Sequence, residues 1–536
     1  MAHSLGDVFD GIARVVDPNS PALVHGDRVI NWQAFDQRTN NLARSMLERG
    51  IASNDKVAVF SRNCAEYSEA IVAAFKSRTV HLNVNYRYTP EELFYIFDNS
   101  DAAVVFFSSE FAPQMEALRQ QLDKVRLFIE ICPLGQEPLY EGALAHEQLA
   151  LAGSGAPLDI ERSGDELFFL YTGGTTGMPK GVMWSHEAFR QIGAGRAALA
   201  GRDYSDLTST LASIQANQSQ ARMLPACPLM HGTGLVSALL TLLDGGAVVT
   251  MDSATGFDPH EMWRTVAGKG VTAMAIVGDA FARPLLKALR EQPGRYDLDH
   301  VNSITSSGVM WSREVKLGLL EHMPNVLLVD SFGASEAIGF GSSTMANGRE
   351  TTTARFEIGE HCKVFNEQDR EVLAGSGEPG YIARGGSIPL GYYKDPEKTA
   401  QTFRIIDGVR YSIPGDWCTV DEDGAITLLG RGSVCINSGG EKIYPEEVEE
   451  TIKSLEGIND VLVVGVPDER WGAAVVAVLE GSQLPEDQIK AHIKDHLAGY
   501  KVPRHFLYKE DLGRAPNGKA DYKAIRNFAL KSLDLT

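Results

Sequence analysis

Residues 171–181 read YTGGTTGMPKG, with four glycines, three threonines and one lysine in eleven positions. Backbone without side chains at Gly173, Gly174 and Gly177 lets amide N–H groups close on a polyphosphate. Thr172, Thr175 and Thr176 add hydroxyl donors, and Lys180 adds positive charge. The pattern is not the P-loop of common ATPases, where the lysine precedes a Ser or Thr that serves magnesium. Here Lys180 stands between Pro179 and Gly181. A plain linker is the alternative, and three threonines beside Pro-Lys-Gly suit it poorly.

Four other stretches could do chemistry. Residues 330–339, DSFGASEAIG, follow the apolar run 326–329. A carboxylate just past a strand end, on a glycine-containing turn, is placed to hold a phosphate-bound metal. A solvated glutamate at a helix start explains the same residues equally well. Ser306-Ser307-Gly308-Val309 follows the run 301–305 in the same manner, and an ordinary strand–helix turn is nearly as good a reading. Within 411–417, YSIPGDW, Asp416 offers the natural two-oxygen acceptor for a vicinal diol, although a lone Gly-Asp is usually a turn. Lys519, in the 513–520 stretch GRAPNGKA, is by itself a solvated surface lysine. His231, on the apolar turn PLMHG, is by itself consistent with a core position. His186 reads as structural.

These residues need elements to position them. The aromatic run 167–170 predicts a strand leading into the glycine-threonine loop. Strand-like and helix-like runs then alternate: strands at 56–61, 102–107, 247–251, 271–277, 301–305 and 326–329, and helices at 65–76, 90–98, 259–267, 279–290 and 313–320. Such alternation predicts parallel sheets covered by helices. From 356 to 429 the texture becomes rich in Gly, Pro and β-formers, as in a small barrel or antiparallel sheet. Past 430–433 a helix at 445–455, strands at 461–466 and 473–479 and a helix at 486–497 predict a small α+β unit. The boundary falls near Gly432, giving domains at 1–431 and 432–536.

Composition bounds the function. A chain of 536 residues is too long for one core, and 44% apolar with 22% charged residues describes an ordinary globular protein. The net charge of −20 argues against nucleic acid and against an anionic membrane surface as partners. Residues 1–10 lack a basic start followed by a long apolar run, and no stretch of about 18 apolar residues occurs. No integral membrane segment is expected, and the cytoplasm is the expected location. Six cysteines without a CxxC pair read as reduced thiols, with neither a disulfide frame nor a zinc site.

In their order and spacing these motifs resemble those of the adenylate-forming superfamily: acyl-CoA synthetases, luciferases and the adenylation domains of peptide synthetases. The resemblance spans essentially the whole chain. It implies an α/β fold whose large N-terminal domain holds parallel-rich sheets covered by helices and a small barrel-like part, followed by a small mobile α+β domain. It implies ATP, Mg²⁺ and coenzyme A as cofactors, with a small-molecule carboxylic acid as the other partner. Lys519, Glu336 and Thr172 become catalytic groups, with Glu336 on the metal and Lys519 between the substrate carboxylate and the α-phosphate. The nucleotide falls to residues 172–177, Lys180, Gly308, Asp330, Ser331, Phe332, Gly333, Ser335, Asp416 and Arg431. Ser438, Gly439 and Gly440 match a loop that forms the pantetheine tunnel, and His231, Gly278, Ser307 and Gly308 the acyl pocket. Phe332 and Ser335 stand where the family more often has Tyr and Thr, Pro414 where it has Thr, and Ser433 where it has a hinge Asp or Lys. The wordings LGYYKD at 390–395, GRGS at 430–433 and NSGGEK at 437–442 are similar to those of bacterial long-chain and steroid-side-chain CoA ligases. The reaction so implied joins a carboxylate to CoA through an acyl-adenylate, releasing AMP and pyrophosphate. Seventeen residues follow Lys519, so a diffusible acceptor is expected rather than a fused carrier. An enzyme loading a carrier protein in trans and an aryl-acid CoA ligase remain alternatives. Oligomeric state is open, a homodimer included.

Overall fold

Apolar runs that alternate with helices become parallel strands buried on both faces. In the computed structural model, Lys56–Phe60, Val80–Asn83 and Ala102–Ser108 lie side by side at the centre of one sheet. The model describes the chain apart from residues 1–2, 173–177, 254–255, 310, 350, 432–433, 435, 439–440, 469–471, 498, 516–517, 519 and 536, and apart from the side chains of 431, 437, 441, 442 and 472. Among the described residues this first sheet has eight strands, in the order Gly391–Tyr392, Lys180–Ser185, Leu167–Thr172, Val80–Asn83, Lys56–Phe60, Ala102–Ser108, Leu127–Ile131 and Leu144–Ala145. Only Lys180–Ser185 runs against the rest, being antiparallel to both of its neighbours.

A second sheet starts at Arg28–Asn31, antiparallel to Pro21–His25, and is parallel from there through Ala247–Thr250, Arg222–Pro225, Ala273–Ile276, Ser303–Ser307 and Leu327–Ala334. It then turns antiparallel through Ala337–Met345 and Arg355–Ile358 into the Gly- and Pro-rich region, ending on the hairpin Phe403–Ile406 and Val409–Ser412. The barrel-like part of the prediction is thus built as an antiparallel continuation of this sheet. Phe9, Phe75, Phe168, Trp184, Phe189 and Leu239 share one buried cluster between helices and sheet.

One boundary differs from the sequence reading. The strand expected at 326–329 runs on to Ala334, because Asp330, Ser331 and Phe332 pair with Ser343, Ser342 and Gly341 of the following strand. Asp330 therefore lies inside a strand and not on a turn beyond its end.

The C-terminal unit is built on the pair Ile458–Asp468 and Gly472–Gly481, with His505–Tyr508 parallel to the latter. Period-2 alternation divides its apolar residues between two cores. Val461 and Val463 meet Val448, Ile452, Ile489 and Ile493, while Leu462 and Val464 meet Leu512, Ile525 and Ala529. Cys64, Cys132, Cys227, Cys362 and Cys418 carry free thiols. Among the described residues no helix is long and apolar enough to cross a membrane.

The helices packed on the first sheet are tied by a buried ammonium. Lys76, 1% exposed, faces the carboxylates of Asp10 and Asp36 and donates to Asn40 Oδ1 at 2.8 Å. Lys76→Met leaves the Asp36 carboxylate without its cation, and urea unfolding is expected to show a loss of about 3 kcal/mol.

Candidate active site

The candidate residues gather where strands of the two sheets end. Thr172 closes its strand directly opposite Lys180, so the intervening loop is a hairpin whose ends are fixed by backbone pairing. Residues 173–177 lie outside the described residues. Lys180, about one-third exposed, forms an ion pair with Asp395. The Lys180 ammonium holds the Asp395 carboxyl below its ordinary range, and the backbone N–H of Lys398 acts in the same direction.

Ser335 and Glu336 form the two-residue turn between Leu327–Ala334 and Ala337–Met345, with Ala334 and Ala337 paired on either side. This turn is held by three donors from elsewhere in the chain. Trp184 Nε1 donates to the Ser335 carbonyl at 2.9 Å, Ser412 Oγ to the Glu336 carbonyl at 2.7 Å, and the Tyr392 hydroxyl to Glu336 Oε1 at 2.7 Å. Gly333 packs closely here: an added Cβ would lie 3.1 Å from both the Ala337 carbonyl and the Gly339 nitrogen.

Asp330 and Phe332 point to the buried side of the strand. Asp330 accepts from the Lys316 ammonium at 3.0 Å, both side chains being buried. Burial raises its carboxyl to about 6 against the opposing pull of Lys316. A carboxylate so engaged ties the helix Arg313–His322 to this strand, and its burial sets it apart from the partly exposed Glu336. Phe332 packs on Phe340 and Phe356, with ring centroids 5.2 and 5.3 Å away, which leaves 8% of its surface exposed and little for a purine. Ser331 alternates to the opposite face, where its cross-strand partner is Ser307.

Ser307 ends its strand and Gly308 follows with φ +91°, a turn that a side chain resists. Gly278 starts the helix Gly278–Glu291 and donates its N–H to buried Ser306 Oγ at 2.8 Å. His231 occupies the N-cap of the helix Gly232–Leu242. The next residues reach both neighbours: positions beside Gly232 and Gly308 lie 3.8 Å from Ser335 Oγ and 3.9 Å from Thr233 Oγ1. The His231 turn, the Gly308 turn and the Ser335–Glu336 turn therefore border one space. His186 is fully buried and accepts from the Leu5 N–H at 3.2 Å, the structural position expected of it.

Asp416 is 7% exposed and lies directly opposite Arg431 across paired strands. Ser438 faces Glu441 at the end of the short hairpin Ile436–Ser438 and Glu441–Ile443. The Arg431 side chain and residues Gly439, Gly440 and Lys519 lie outside the described residues. Gly518 does not, and its position is informative. It has φ +72°, and an added Cβ would meet Val309 Cγ2 at 3.1 Å and Ala280 and Val277 at 3.5 Å. Gly518 thus rests on the edge of the space bordered by Gly278 and Gly308.

Sequence reasoning missed several residues. Asn83, at the end of Val80–Asn83 and buried, accepts from the Tyr171 N–H at 2.9 Å, donates to its carbonyl at 3.1 Å and also reaches the Met230 carbonyl. It joins the strand entering the glycine-threonine loop to the His231 turn. Asn63 does similar work, receiving the Leu229 N–H at 2.7 Å and donating to the Pro225 and Cys227 carbonyls at 3.1 Å. An Asn ending an apolar strand was the available signal for Asn83. Asp395 could have been read as a helix cap from Asp-Pro, but its second oxygen could not be placed.

The chain matches the model of the AMP-binding enzyme family over residues 13–393 and that of the AMP-binding enzyme C-terminal domain over 447–519. It belongs to the AMP-binding enzyme family. A relative named 3-oxocholest-4-en-26-oate–CoA ligase, from Rhodococcus rhodochrous, is 39% identical over 98% of this chain and 95% of its own. A medium/long-chain-fatty-acid–CoA/3-oxocholest-4-en-26-oate–CoA ligase of Mycobacterium marinum is 38% identical over 94% and 93%. The fold is that of the anthranilate CoA ligase AuaEII in complex with anthranoyl-AMP (TM-score 0.83, 20% identity, 99% of this chain and 98% of that one). ATP-bound MatB from Rhodopseudomonas palustris is similar (TM-score 0.81, 24% identity, 98% and 99%).

Asn83→Ala removes three hydrogen bonds in a buried position. It is expected to cost about 2 kcal/mol in urea unfolding and to lower carboxylate-dependent pyrophosphate release more than that loss of folded protein explains.

Proposed function

We propose that this chain is an ATP-dependent acid–thiol ligase that makes acyl-CoA through an acyl-adenylate, acting on a medium- or long-chain fatty acid or a steroid side-chain carboxylate. The observation that carries this reading is near full-length identity of 38–39% to ligases named for those acids. The gathering of Lys180, Glu336, Ser307 and Gly308 at strand ends, with Gly518 against their rim, agrees with it. Residues 1–431 hold the nucleotide and the acid, and 432–536 carry Lys519.

In the first step a substrate carboxylate oxygen attacks the α-phosphorus of ATP, the bond to the β-phosphate oxygen breaks, and pyrophosphate leaves. Both reactants are anions, so the barrier is electrostatic before it is chemical. Lys519 lies between them and offsets their repulsion and the charge growing on phosphorus. Thr172, Lys180 and the 173–177 backbone receive the leaving pyrophosphate, Asp416 accepts the ribose hydroxyls and Arg431 supports them. In the second step the CoA thiolate attacks the acyl carbonyl and AMP leaves, with Ser438, Gly439 and Gly440 lining the approach.

Among the described residues no group of three or more His, Cys, Asp or Glu could cage a metal. Magnesium does not need one, since it keeps water and phosphate oxygens and uses one or two carboxylates. Glu336, partly exposed on its turn and restrained at one oxygen, fits that role. Bound there, the ion would neutralise charge on the β- and γ-phosphates.

Lys519→Ala should reduce carboxylate-dependent pyrophosphate release by about 100-fold or more, while thioester formation from synthetic acyl-AMP stays within a few-fold of the parent. Equal loss of both in a folded protein excludes the assigned role. A panel of acids of graded size, scored by CoA-dependent AMP release, should rank long-chain or sterol side-chain acids above aryl acids. An aryl acid at the top, or AMP release indifferent to CoA, refutes the substrate or the acceptor.

A further inference from the structure

We propose that Tyr392 and Asp395 are positioning residues for the phosphates of ATP, with residues 391–399 acting as one strut that holds both Glu336 and Lys180. The inference rests on the roles given to Glu336 and Lys180 above. The strut is fixed to the strand that Lys180 begins: Leu390 donates its N–H to the Met183 carbonyl and Tyr393 its N–H to the Gly181 carbonyl, each at 2.8 Å. It then folds on itself. Thr399 Oγ1 accepts from the Tyr392 N–H at 2.9 Å and donates to the Asp395 carbonyl at 2.7 Å. Gly391 permits this closure, for a Cβ there would lie 2.4 Å from Thr399 Cγ2.

Two side chains leave this rigid piece toward the site. Asp395 caps the helix Pro396–Thr402, its Oδ1 accepting from the Lys398 N–H at 2.9 Å. The cap fixes the carboxylate and directs Oδ2 at the Lys180 ammonium. Tyr392 is buried against Phe403, with centroids 5.8 Å apart, and only its hydroxyl reaches out, to Glu336. A free lysine samples many rotamers, and ordering it on binding costs free energy that a prior ion pair has already met. An ammonium has three donors, so Asp395 leaves others for phosphate. Tyr392 uses one oxygen of Glu336 and sets the direction of the second.

The alternative is that Asp395 competes with ATP for Lys180, and the two ideas predict opposite signs. Binding of the non-hydrolysable α,β-methylene analogue of ATP is measured by calorimetry, with magnesium and with EDTA. Tyr392→Phe should weaken binding about tenfold with magnesium only. Asp395→Asn, which retains a capping oxygen, should weaken it about tenfold in both conditions. Tyr392→Phe should add nothing in a Glu336→Gln background, nor Asp395→Asn in a Lys180→Ala background. Thioester formation from preformed acyl-AMP should stay within about twofold in both single variants, which a general loss of structure would not allow. Should Asp395→Asn fail to fold, Asp395→Ser keeps a cap without the charge. Additive double variants, or tighter binding by Asp395→Asn, overturn the proposal. If Glu336→Gln and Lys180→Ala weaken binding while the strut variants do not, the strut alone is wrong. If none of the four changes binding, the phosphate roles fall with it.

Discussion

In a chain with 70 acidic against 50 basic residues, handling of a nucleotide is governed by where individual cations are placed. With a net charge of −20, its average field repels the substrate, and attraction depends on lysines set individually. Two lysines are each matched to one carboxylate by the fold. Lys316 meets Asp330 in the interior, and Lys180 meets Asp395 at the rim. The first pair has no water to exchange with and serves the sheet. The second is partly solvated, so its lysine retains donors for a ligand. Burial thus separates two pairs of the same chemical type, one in the interior and one at the rim.

The same division explains the turn at Ser335–Glu336. A two-residue hairpin turn projecting from a long sheet would move freely if held only by its own strands. Here three donors come from distant segments: Trp184 in the first sheet, Ser412 in the antiparallel extension and Tyr392 in the strut. The two sheets are thus registered to each other at the carboxylate assigned to the metal, and a shift of either sheet is felt there first.

Much of this was legible in the sequence. Alternating apolar runs gave the parallel sheets, and the α+β texture after 430 gave the C-terminal unit, because local period decides such elements. The candidate site was read as motifs, and of these the turn carrying Glu336 does follow a strand, Leu327–Ala334. What could not be read was set by long-range pairing. Asp330 and Glu336, six residues apart, sit in one motif whose local pattern does not tell a buried carboxylate from an exposed one. The hairpin partner Ala337–Met345 carries the strand past Asp330 and turns that carboxylate inward onto Lys316. Phe332 follows it onto Phe340 and Phe356. Asn83 and Tyr392 act on residues about 88 and 56 positions away, distances at which no local pattern reports.

The seat of Gly518 has a consequence of its own. The turn beside Lys519 touches the larger lobe there through bare backbone against the methyl groups of Val277, Ala280 and Val309. The Gly518 N–H and carbonyl are engaged within their own unit, by the Ala515 carbonyl at 2.7 Å and the Arg514 guanidinium at 3.1 Å, so this contact rests on shape. A side chain bonded across the gap would have made the same seat adhesive. Glycine makes it a bearing surface.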